Sequence, residues 1–133
     1  MGELEGLFKG LADQTRLRII NILLHGELCV CDVQFVLGSP QPNVSRHLAY
    51  LKHSGLVLDR REGQRIFYRL AEPRDPTQKQ LFAFLQKAFG ASAEFTRDSR
   101  KLKKAIAQGS CTASQSSAHP PAAKAGAAHA GRP

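Results

Sequence analysis

Two cysteines stand two residues apart in the run Glu27-Leu28-Cys29-Val30-Cys31-Asp32. Thiolates are soft donors that favour soft ions such as zinc, cadmium, copper(I) or arsenite. Positions i and i+2 do not share a face of a regular helix, so one ion bonded to both sulfurs needs an irregular first turn and would strain a regular one. A cysteine is also a small apolar residue that packs well, and the spacing alone leaves a packed pair as open as a ligand pair. The third cysteine of the chain is Cys111.

A second set of side chains suits a different chemistry. Gln41, Asn43, Ser45, Arg46 and His47 form the polar face of a stretch whose apolar residues recur at helical spacing. Gln and Asn pair with adenine, Arg pairs bidentately with guanine or clamps a phosphate, and Ser serves either role. His47 fits a phosphate contact and a packed place beside the turn equally well. Further on, Arg61, Gln64 and Arg65 can reach flanking phosphates or a minor groove.

The charge distribution agrees with a polyanionic partner. The 133 residues carry 19 Lys and Arg against 11 Asp and Glu, a formal charge of +8. Residues 1–39 hold three basic and five acidic groups, whereas residues 40–70 hold six basic and two acidic ones. Positive charge thus begins where the polar helix face begins. Residues 71–108 add eight basic and four acidic groups.

The elements that must position these groups follow from periodicity and punctuation. Leu4, Leu7, Phe8 and Leu11 predict a helix over 3–11. Asp13 suits the cap of a helix over 14–25 with Leu17, Ile20, Leu23 and Leu24 inward, ended by Gly26. A short helix over 30–37 and the turn Gly38-Ser39-Pro40 lead to a helix over 42–53, with Pro42 in its first turn and Val44, Leu48 and Leu51 inward. Residues 56–58 and 66–70 alternate as strands, joined by Arg60-Arg61-Glu62-Gly63-Gln64, where Gly63 supplies a positive φ. Pro73 and Pro76 bracket a linker to a long helix over 77–96, which Arg97–Ala107 extends or follows as a basic segment. The order predicts a mainly α fold with a β-hairpin wing, a winged helix-turn-helix. A helix over 42–53 is about 18 Å long, and a major groove about 12 Å wide admits it.

Residues 1–108 read as one DNA-binding and dimerisation domain, and 109–133 as a disordered Ala/Ser/Pro-rich tail that lacks apolar bulk to offset its ordering entropy. Readers of this type bind two half-sites as dimers. Surplus apolar groups predict a homodimer interface of Leu4, Leu7 and Phe8 with Leu81, Phe84 and Ala88, leaving Phe82, Leu85 and Phe89 to the protomer. No apolar run is long enough to span a bilayer, the acidic N-terminus lacks a signal stretch, and a closely spaced Cys pair fits a reducing compartment, so a cytoplasmic protein without membrane partner is expected.

The chain closely resembles the ArsR/SmtB family of winged-helix metalloregulators, in particular its arsenic-responsive repressors. The likeness spans about residues 4–111. It rests on Leu11-Ala12-Asp13-Gln14-Thr15-Arg16-Leu17, on the cysteine box of residues 27–32, on Gln41-Pro42-Asn43-Val44-Ser45-Arg46-His47-Leu48, and on Ser54-Gly55-Leu56-Val57 with Asp59-Arg60-Arg61-Glu62-Gly63. The resemblance implies a dimer that represses an operon by binding double-stranded operator DNA. It also implies release when As(III) or Sb(III), the inducer ligand, binds three thiolates; no organic cofactor is implied. Cys29 and Cys31 match two ligands. Gln34 stands where the best-known arsenic type has its third cysteine, which leaves Cys111, from the same chain or across the dimer, as the candidate third ligand. The alternative is a repressor responsive to cadmium, lead or another thiophilic cation. Such sensors add thiols from a longer N-terminal arm, and no Cys precedes Cys29 here. The zinc type uses Asp and His on its last helix, and residues 77–96 contain neither. An enzyme is not expected, because no Ser, Arg or Gly nest surrounds either cysteine of the pair.

Overall fold

The computed structural model describes residues 2–109. Six helices and three short strands follow in the order α1 (Gly2–Leu11), α2 (Gln14–Leu23), β1 (Leu28–Cys29), α3 (Val30–Leu37), α4 (Gln41–His53), β2 (Val57–Glu62), β3 (Arg65–Leu70), α5 (Pro76–Gly90) and α6 (Ala93–Ala107). The mainly α fold with a β-hairpin wing is the one expected. Cys111 and residues 110–133 of the expected tail lie outside the described residues. Among those described, no helix is long and apolar enough to cross a membrane.

Local chemistry sets most boundaries. The Asp13 carboxylate accepts the Arg16 amide at 3.0 Å and caps α2. Gly38, left-handed at φ 65°, closes α3 by donating its amide to the Gln34 carbonyl at 2.9 Å. Asp75 caps α5 by accepting the Gln78 amide at 2.9 Å. The hairpin pairs Glu62 with Arg65 around Gly63-Gln64, and Gly63 at φ 65° supplies the positive φ a two-residue turn needs.

Three expectations about the elements are corrected, and one element is additional. Helix α2 ends at Leu23, not 25. Strand β2 runs to Glu62, so Arg60, Arg61 and Glu62 belong to the wing's ladder rather than to its turn. The helix expected over 77–96 breaks after Gly90, and a separate α6 begins at Ala93. Across that break the Phe89 and Phe95 rings meet at 4.5 Å, so folding α6 back lets both helices reach the core. The additional element is β1, a two-residue strand that joins the hairpin to make a sheet in the order β1-β3-β2.

Ile19, Ile20 and Ile22 of α2, Val33 and Val36 of α3, and Val44, Leu48 and Leu51 of α4 are buried in one core with Leu56, Val57 and Leu102. Each full burial contributes about 1.5–3 kcal/mol before entropy is counted. Leu7 belongs to this core too, at 5% exposure, which corrects its assignment to a dimer surface. Leu81 is half-buried against the same core. Leu4, Phe8, Phe84 and Ala88 remain exposed on α1 and α5.

Candidate nucleic-acid interface and thiol pair

Helix α4 turns Val44, Leu48 and Leu51 inward, and this orients its other face. Gln41 and Arg46 are exposed there, with Asn43 and Ser45 half-buried beside them. Arg46 is not loose. Its Nη2 donates to Asn43 Oδ1 at 2.7 Å, and Asn43 Nδ2 donates to Ser39 Oγ at 3.4 Å. These hydrogen bonds hold a guanidinium in the second turn of α4, and the first turns of a reader helix meet base edges. Arg61, Gln64 and Arg65 are exposed on the wing.

His47 is placed differently from its neighbours. Its Nδ1 lies 3.3 Å from Arg16 Nη1 and 3.7 Å from Asp13 Oδ2, and its side chain is only 15% exposed. Of its two possible roles, the packed one beside the turn is what the geometry shows. Arg16 is the hub: Nε and Nη2 donate to the Gly10 and Lys9 carbonyls at 2.7 and 3.1 Å, and its guanidinium lies 4.1 Å from the centre of the Tyr50 ring. It thereby satisfies carbonyls at the end of α1 while bracing α4. Sequence reasoning gave Arg16 no role, although it lies in the Leu11–Leu17 stretch on which the resemblance rests.

Cys29 is extended at φ −69°, ψ 145°, one residue before α3, while Cys31 lies in the helix's first turn. The two sulfurs are therefore 3.2 Å apart, with Cys31 Sγ donating to Cys29 Sγ. An irregular first turn is what one ion bonded to both thiols was expected to need, and the extended Cys29 supplies it. The strand-to-helix junction is already irregular and brings them together. A soft ion bonding two thiolates at about 2.3 Å holds them under about 4 Å apart, so the donor set and its spacing fit such an ion. Among the described residues, no three His, Cys, Asp or Glu side chains gather to hold a metal.

Helix α6 runs alongside α2 in the same direction. Gln14 meets Glu94, Arg18 meets Asp98, and further along Asn21 and His25 meet Ser99. The Asp98 carboxylate, by hydrogen bond and charge, holds the Arg18 guanidinium above its ordinary pKa. Burial, and secondly the Lys103 charge, hold the His25 imidazole below its own. Burial likewise raises the Tyr68 phenol.

The family model for bacterial regulatory proteins of the arsR family matches residues 13–58, from the α2 cap through α4 into β2. An arsenic resistance transcriptional regulator of Pseudomonas putida, ArsR2, is 41% identical over 93 residues, covering 69% of this chain and 78% of that protein. The chain belongs to the arsR family. Members are DNA-binding regulators of transcription, not enzymes. The arsenical resistance operon repressor of Escherichia coli K12 is 56% identical over 66 residues, 49% of this chain; the match spans only 56% of that repressor's length. Other relatives are named for cadmium resistance. Among solved structures, HlyU of Vibrio cholerae superposes with a TM-score of 0.59 at 33% identity, covering 65% of this chain and 91% of that one. The arsR-family winged helix thus accounts for the order of α2, α3, α4 and the wing.

Proposed function

We propose that this chain is a metal- or metalloid-responsive repressor, and specifically one that binds operator DNA as a homodimer and releases it when As(III) or Sb(III) binds Cys29 and Cys31. The observation that carries it is the thiol pair at 3.2 Å, set where the sheet that includes the wing runs into the helix preceding α4. Arg46 with Gln41, Asn43 and Ser45 takes the base edges, and Arg61, Gln64 and Arg65 take flanking phosphate or the minor groove. Exposed Leu4 and Phe8 of α1 and Phe84 and Ala88 of α5 form the dimer surface.

An effector shifts an equilibrium only by its unequal affinity for two states. The bound ion supplies that difference when it fixes two soft thiolates at this junction. A third donor completes the set. The parallel course of α6 and α2 supports Cys111, because α6 leaves the body at the end of α2 from which the chain turns toward Cys29. The cadmium names among the relatives keep a second effector in view. Cadmium wants a fourth donor, which favours arsenite for a chain with three thiols.

The test is operator binding, by fluorescence anisotropy, of wild type and the Cys29→Ser, Cys31→Ser and Cys111→Ser variants, with and without arsenite and with cadmium. Cys29→Ser and Cys31→Ser are expected to keep operator binding and lose release. Loss of release in Cys111→Ser makes it the third ligand; retention assigns that place to a non-protein donor. Unchanged release by arsenite in both Cys29→Ser and Cys31→Ser would overturn the sensing role.

A further inference from the structure

The register of the three-stranded sheet sets Cys29, Phe67 and Arg60 in one row, since β1 pairs Cys29 with Phe67 and β2 pairs Arg60 with the same Phe67. Directly opposed residues of antiparallel strands project from the same face. Cys29 and Phe67 are each 2% exposed, yet neither is part of the main core. The Phe67 ring is covered instead by the Arg60 guanidinium, 4.7 Å from its centre. That guanidinium reaches across β3. Nε and Nη2 donate to both carboxylate oxygens of Glu27 at 2.8 and 2.9 Å, and Nη1 donates to Glu62 Oε1 at 2.6 Å.

Arg60 is therefore a strap from β2 of the wing to the residue preceding β1. Strand β1 is two residues long, and two register pairs join it to β3. A strand so short has little hold of its own. The planar, bidentate Arg–carboxylate fork is a directional contact that a lysine does not reproduce. Arg61, which the proposed DNA surface uses, is the next residue along β2.

We propose that Arg60, through its fork on Glu27 and its cover over Phe67, is the positioning residue that couples the Cys29–Cys31 site to the wing; this rests on the thiol pair being the effector site. Any shift of Cys29 on binding an ion moves β1, and the strap carries that shift into β2 and the wing residues beside it. Without the strap, β1 moves alone. The thiols still bind their ion, the wing keeps its DNA-bound geometry, and release fails. A purely structural Arg60 would instead change stability and leave the effect of the ion on DNA affinity intact.

The experiment compares wild type, Arg60→Lys and Glu27→Gln as full chains. Arsenite binding is followed by the ultraviolet absorbance of the thiolate–arsenic bond, and operator affinity by anisotropy with and without sodium arsenite. Wild type is expected to lose on the order of tenfold or more in operator affinity on adding arsenite. Both variants are expected to titrate arsenite as wild type does and to bind the operator without it, yet to lose less than about threefold. The same fold-loss as wild type in either variant overturns the coupling role and leaves the effector site standing. Loss of operator binding in both variants without arsenite also overturns it, by making the pair part of the DNA surface. A wild type that fails to bind or to respond to arsenite overturns both the coupling and the effector site.

Discussion

Arg18 and Asp98 stand eighty residues apart in the chain, and their guanidinium and carboxylate meet at 2.8 and 3.1 Å. The carboxylate is nearly buried and the guanidinium a quarter exposed. The pair fastens α6 onto α2 beside a second link, Asn21 Nδ2 donating to the Phe95 carbonyl at 2.9 Å.

Asp98→Asn removes the charge and keeps the shape. A fully buried pair broken this way costs about 3–5 kcal/mol, and partial exposure of Arg18 reduces that to about 1–2 kcal/mol. Thermal unfolding of the variant is expected to begin several degrees lower, with faster amide exchange across residues 93–107. Unchanged exchange in α6 would show that the pair does not hold it.

His25 sets a pH dependence. Its folded-state pKa is depressed, by burial first and then by Lys103. The neutral ring is thus the native form, and the unfolded chain binds the extra proton. The contribution of His25 is complete above the ordinary histidine value of about 6.5 and is lost as pH falls below it. The His25→Gln variant is expected to show a shallower fall in stability between neutral and mildly acidic pH. An NMR titration midpoint for His25 above the ordinary value would contradict the sign.

Two glycines of α1 are expected to respond in opposite directions. A Cβ on Gly10 would lie 2.9 Å from Leu56 Cδ1 and 3.0 Å from Ser54 Oγ. Leu56 is buried, which limits how far its side chain can give. Overpacking costs about 1–3 kcal/mol and exceeds the helix-propensity gain of about 1 kcal/mol, so Gly10→Ala destabilises. A Cβ on Gly6 meets nothing within 4 Å, so Gly6→Ala is expected to stabilise by up to about 1 kcal/mol. Denaturant midpoints of the two variants provide the comparison.

Arg46 and Arg61 are expected to separate specificity from affinity. Arg46→Ala should cost about 1–3 kcal/mol on the operator and relax preference at one base position. Arg61→Ala should weaken binding to all DNA and lower the salt slope by about 1 for each phosphate left without its guanidinium. Altered base preference in Arg61→Ala with an unchanged salt slope would reverse the assignment.

What the sequence by itself determined is whatever is written locally. Asp13 before Gln14, Pro42 in a first turn, the spacing of Val44, Leu48 and Leu51, and Gly63 in a hairpin each act within a few residues, so the order of helices and the wing were legible. Arg46 in the second turn of α4 and the basic wing were legible for the same reason. Tertiary structure alone decided the rest. A two-residue strand has no period to read, and β1 exists because Leu28 and Cys29 find Tyr68 and Phe67, nearly forty residues on. That pairing holds Cys29 extended, and the extended backbone, not the Cys-x-Cys spacing, brings the sulfurs together. Leu7 is core rather than surface, His47 is braced by Arg16, and α6 folds back through Phe89 and Phe95. Apart from the Phe89–Phe95 contact, which spans six residues, these rest on contacts between residues distant in the chain, which leave no mark on the local pattern of either partner.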